Sequence, residues 1–128
     1  MSVPQRFNFK RLDVYREAID HFAWTVQVVA RMPTAPFAIR NQVLGAALSV
    51  VANIAEGSGR EKRPGEAEQH YRYALGSTYE SAAFLDALAA MEVITGHERD
   101  TQETKLDRIA GMLSRLMSRH AARSLRDA

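Results

Sequence analysis

The chain predicts an all-α fold, an antiparallel up-down-up-down four-helix bundle. Three observations carry this. Four stretches have helical periodicity, roughly 12–32, 37–57, 66–94 and 101–123, and short proline- or glycine-containing breaks separate them. No stretch alternates apolar and polar residues for long enough to argue a strand. The length of 128 residues suits one domain around one core.

In the first helix Leu12, Tyr15, Ile19, Phe22, Val26 and Val29 recur at three- and four-residue spacing, the expected core stripe. A second apolar set, Val14, Trp24, Val28 and Met32, lies on another side and predicts a subunit interface; the alternative is that Trp24 lies under a loop of its own chain. Pro33 and Pro36 bracket the first break. The second helix is apolar almost all round and is expected to be the most buried. Its polar residues Gln42, Ser49, Asn53 and Glu56 fall on one line. Gly57 or Gly59 is expected to supply a left-handed cap, with Pro64 and Gly65 completing the second break. The third helix turns Tyr71, Ala74, Leu75, Thr78, Ala82, Leu85 and Ala89 inward. Gly96 marks the third break, and Asp100 with Glu103 reads as a capping box opening the fourth helix. There Leu106, Ile109, Leu113, Leu116 and Met117 point to the core. The tails 1–6 and 124–128 are expected to fray.

Composition excludes several chemistries. With no cysteine there is no disulfide framework, thiolate metal site or cysteine nucleophile. The polar, basic N-terminal stretch has no apolar signal core, so a cytoplasmic location and no membrane partner are expected. Glu-x-x-His pairs of the di-metal bundles are absent, and His21, His70, His97 and His120 are expected on the surface, so no metal or other cofactor is expected. Gly57-Ser58-Gly59-Arg60 follows a helix instead of joining a strand to one, which fails the context of a phosphate-binding loop.

Two groups of residues remain as site candidates. Asn53 and Glu56, on an apolar helix, need partners. Ser77, Tyr79 or Glu80 of the third helix could supply them, Ser77 and Glu80 forming with Gln42 and Ser49 a structural polar network. Glu56 also faces the negative end of its helix dipole, which costs a few tenths of a kcal/mol or more unless a cation, a donor from another helix or a partner chain compensates. An enzyme using Asn53, Glu56 and Glu80 is the minor alternative, and no catalytic signature supports it.

The second group is basic. The net charge of +2 divides into +3 over 1–16, −5 over 17–104 and +4 over 105–128. Arg108, Arg115, Arg119 and Arg126 fall within roughly 40° on a helical wheel, with Lys105 and Arg123 flanking. Arg60, Lys62 and Arg63 make a basic loop, and Arg6, Lys10, Arg11 and Arg16 a basic start. Such a line can track phosphates, so RNA or DNA is the expected partner, through Arg108, Arg115, Arg119, Arg123, Arg60, Lys62 and Arg63. No aromatic is interleaved in it, which argues against a stacking platform. The competing reading pairs these arginines with the acidic middle of the chain. A second function class is a protein-interaction scaffold with no nucleic-acid binding.

Phe9 to Tyr15, Gln42, Ser49 through Arg60, and Gly76-Ser77-Thr78-Tyr79-Glu80 together resemble a bacterial family of small four helix bundle proteins. That family includes proteins encoded in intervening sequences of 23S rRNA genes, and is similar to the accessory variability proteins of diversity-generating retroelements. The resemblance runs from about Phe7 to Gly96. It implies an all-α bundle assembled into a homo-oligomeric ring, typically of five subunits. Retroelement members are thought to bind nucleic acid and a reverse transcriptase through basic surface.

Overall fold

The computed structural model describes residues 7–127, the side chains of 124 and 127 aside. Arg6 and the expected frayed residues at 1–6 and 128 lie outside the described residues. A 3₁₀ turn, Asn8–Arg11, leads into α1 (Asp13–Ala30), α2 (Phe37–Ser58), α3 (Pro64–Ala90) and α4 (Gly96–Asp127), with no strand among the described residues. Each helix packs on its sequence neighbour, and α4 returns to α1 over a smaller contact.

Helix boundaries follow local chemistry. Pro64, expected in the break, instead starts α3, where its fixed φ suits a helix and its missing N–H is not needed. α4 starts at Gly96, four residues before the expected Asp100. The capping box is Thr95 and Glu98: the Glu98 N–H donates to Thr95 Oγ1 (3.1 Å) and the Thr95 N–H to Glu98 Oε1 (3.0 Å). At its other end α4 continues to Asp127, past the expected 123. No glycine serves as a left-handed cap among the described residues. Gly59 has φ −71°, and the positive φ belongs to Glu92 at 59°. The Val93 N–H reaches back to Leu88 O and the Glu92 N–H to Ala89 O, both at 3.0 Å, which closes α3 as a Schellman motif with glutamate in the position glycine prefers.

The core joins Val14, Ala18 and Val28 of α1 to Val50 and Ile54 of α2, Tyr71, Leu85 and Leu88 of α3, and Leu106, Ile109 and Leu113 of α4. In α1 it is the second set, not the first, that is most buried. Val14, Val28 and Met32 are 2%, 0% and 5% exposed inside their own bundle, so they are not a subunit interface. Ile19 and Val26, expected in the core, are exposed, and Leu12, Tyr15 and Val29 flank the core half-buried. The buried face of α1 is Val14, Ala18, His21, Thr25 and Val28, so Ala18 and Thr25, not the larger Ile19 and Val26, face the other helices. Trp24 sits at the edge of that core, its ring 5.8 Å from the His21 ring.

α2 corrects another expectation. Val43, Ala46, Ala47, Val50 and Ile54 are buried, but Phe37 (72% exposed) and Leu48 (50%), with Ile39, lie on surface the chain leaves uncovered. Phe37–Ser58 is long and apolar enough to cross a membrane by length and composition, a test that a core helix also passes.

Two histidines expected on the surface are buried. His120 is fully enclosed, and Nδ1–H donates to Leu116 O at 2.8 Å. His21 is 4% exposed, and its Nδ1–H donates to Gln102 Oε1 of α4 at 2.9 Å. Burial pushes the His21 imidazole below its usual 6.5, the Gln102 hydrogen bond pulling the other way. A lowered folded value means the fold favours the neutral ring. The corresponding stability is complete above about pH 6.5 and is lost as the pH falls. Near α4's start, the Arg31 guanidinium, and then the Thr95 N–H, hold the Glu98 carboxyl at about 2, so its contribution is lost only at more acid pH, from about 4.5 down. We expect thermal unfolding followed by circular dichroism to show a falling midpoint from pH 7 to 5, and His21→Gln to flatten it. Equal slopes in both proteins would remove His21 as the cause.

Candidate nucleic-acid interface

The fold gathers basic side chains from three distant parts of the sequence. The 3₁₀ turn carries Lys10 and Arg11, the α2–α3 turn carries Arg60, Lys62 and Arg63, and the second half of α4 carries Arg115 and Arg119. Asn8 joins Ser58 through Arg63 around one groove of about 520 Å³. Leu12, Asp13 and Val14 join Met112, Arg115, Leu116 and Arg119 around another, of about 350 Å³. Tyr71 lies between the turn and α4. Burial pushes its phenol up to about 12, the Glu61 carboxylate adding to the shift and Arg119 opposing it. Its ring packs on Gly57 and, edge to face, on His120 at 5.4 Å.

The expected arginine line divides in two. Arg108 Nη1 donates to Glu17 Oε1 (3.0 Å), and Lys105 Nζ to Glu17 Oε2 (2.9 Å) with Asp20 at 3.8 Å. Those cations answer the acidic middle of the chain, and the Lys105 hydrogen bond is the main cause that lowers the Glu17 carboxyl. Arg115 and Arg119 are exposed and make no ion pair among the described residues. Arg123 is half-buried further along α4 and Arg126 exposed. In the turn, Arg60 bridges Glu56 (3.3 Å) and Glu66 (3.4 Å), and Arg63 reaches Glu66 (3.3 Å). Lys62 is exposed and has no such partner among the described residues. Arg16 pairs with Asp13. An aromatic stands at this end after all: Phe7 is exposed, with Lys10 Nζ 5.9 Å from its ring centre.

The polar line on α2 resolves into a smaller network. Asn53 Nδ2 donates to Ser49 O (3.0 Å) and Ser49 Oγ (3.2 Å), and Ser77 Oγ donates to Ser49 Oγ (2.8 Å). His70 Nδ1–H donates to Asn53 Oδ1 at 3.1 Å, a partner that spacing did not suggest. Glu56 stands outside, at the surface, and Arg60 is the cation that compensates it against the helix dipole. Gln42 and Glu80 are exposed and join neither group. Among the described residues no three metal-ligating side chains come together. Ser49, Asn53, Ser77 and His70 tie α2 to α3 with every named hydrogen bond used inside the network, which fits register more than chemistry.

A crystal structure of a protein with unknown function from the S23 ribosomal protein family of Bacteroides thetaiotaomicron has a similar fold, with a TM-score of 0.74 at 20% sequence identity, over 82% of this chain and 95% of that one. No curated protein matches the chain. The family described as 23S rRNA-intervening sequence protein matches over residues 10–115, so the chain belongs to that family.

Proposed function

We propose that the protein is a non-enzymatic, cytosolic bundle of up-down-up-down topology that binds RNA or DNA through its basic end and assembles with copies of itself into a ring of five. What supports the binding is the convergence of Lys10, Arg11, Lys62, Arg115 and Arg119 from three segments, with no acidic partner for any of these five among the described residues. Phosphate backbones recognise that arrangement of charge and need no reactive group. What supports assembly is the uncovered apolar face of α2 at Phe37 and Leu48, which lie about 20° apart on a helical wheel and take the place of the α1 stripe as the contact.

The test is fluorescence anisotropy of labelled RNA and DNA over a salt series. Affinity falls with salt along a log–log line, with a slope of roughly three to five units for a handful of phosphate contacts. Absence of binding at low salt overturns this reading in favour of the protein scaffold. Light scattering that returns the mass of one chain removes the ring.

A further inference from the structure

We infer that the groove between the start of α1 and the second half of α4 takes one unpaired nucleobase, its adjoining phosphate lying on Arg115 and Arg119, so that the protein prefers single strands to duplex. This rests on the nucleic-acid reading above and names the form of nucleic acid.

The groove has a floor and a rim of different chemistry. Leu12, Val14, Met112 and Leu116 make an apolar floor, and Arg115 and Arg119 stand at its edge. The remaining lining residue, Asp13, is held by Arg16. The opening exists because α1 and α4 meet less extensively than the other neighbouring helices. Its volume of about 350 Å³ lies at the small end of ligand sites. Two other grooves lack one half of this pairing. The one at Asn8 and 58–63 has cations but also Glu61 and no large aliphatic floor. The one between α2 and α3, at Ile39, Phe84 and Met91, is apolar and has no cation.

A flat base with a charged phosphate is the ligand that uses both parts at once. The apolar floor accepts one face of the base, and a guanidinium plane can stack on the other, the role aromatic rings take elsewhere. A base reaches such a slot only when out of its stack, which costs least in a single strand. Phosphate contacts alone would not produce this order, because a duplex carries the denser charge.

The experiment compares labelled oligothymidylate with a duplex of equal length at one salt concentration. The single strand binds roughly tenfold tighter, as one stacked base provides. Leu12→Trp fills the groove and brings the single strand down to the duplex value. On the unmutated protein, 2-aminopurine placed within the single strand changes its fluorescence on binding, a readout independent of how well the variant folds. Equal affinities, or an unchanged 2-aminopurine signal in a bound strand, overturn the groove assignment and leave the basic end standing. Failure of both nucleic acids to bind at low salt overturns the basic end and the groove together.

Discussion

Replacing Gly57 by alanine lowers the thermal unfolding midpoint by about 8 °C. A Cβ at this position would lie 2.6 Å from Tyr71 Cε1 and 2.8 Å from Cδ1, well inside contact distance. The ring has nowhere to move. Tyr71 is 0% exposed and packs against the fully buried His120, so relief needs α2 and α3 to separate at this end. Overpacking of a rigid site costs about 2–3 kcal/mol. The same substitution at Gly76 has the opposite sign. Gly76 lies mid-helix, exposed, with nothing within 4 Å of the added carbon. Gly76→Ala gains about 0.5–1 kcal/mol from backbone entropy. Circular dichroism melts of the two variants decide the matter: if Gly57→Ala melts with Gly76→Ala, the ring does not rest on Gly57.

Reversing Arg115 and Arg119 to glutamate together reduces affinity for RNA or DNA by two orders of magnitude or more at low salt and lowers the salt slope by about one to two units. Both arginines are exposed and lack an ion pair among the described residues, so the reversal breaks no ion pair of the fold. Arg108→Ala, on the same line of α4, changes affinity little, because Glu17 already neutralises that guanidinium. A helical wheel treats the three alike. Anisotropy titrations separate them, and an Arg108 effect as large as the double reversal would move the binding surface toward the middle of α4.

Much of the fold was legible because helical periodicity and proline or glycine breaks are local. The inner residues of α3 and α4 follow that pattern, and Tyr71, Leu85, Leu106, Ile109 and Leu113 are all buried. α1 was not legible in the same way. Two apolar stripes compete there, and bulk favours the one with Ile19 and Phe22, whereas the bundle buries Val14, Ala18 and Val28. The Thr95–Glu98 capping box was concealed by the break expected at Gly96 and by the equally good pattern at Asp100. At the candidate site, the three basic segments were legible one by one. Their convergence was not, since it depends on which helix ends meet. Nor was the loss of Arg108 to Glu17, a pairing across 91 positions of sequence. Leu12 and Leu116, in the apolar floor, fit the core stripes, and spacing has no means to tell a filled core from an open groove.

Buried polar atoms without a partner are unevenly distributed. Among the described residues these are Ser58 Oγ, Arg60 Nε, Tyr71 Oη, His120 Nε2 and Ser81 Oγ. The first four surround the contact of Gly57, Tyr71 and His120, at the end that carries the free cations. A buried polar atom without a protein partner lowers the net gain of folding around it. The opposite end is clamped by Arg31 on Glu98 and Val93. A polyanion that binds the folded chain at its basic end raises the apparent stability by mass action, so bound RNA or DNA would lift the unfolding midpoint.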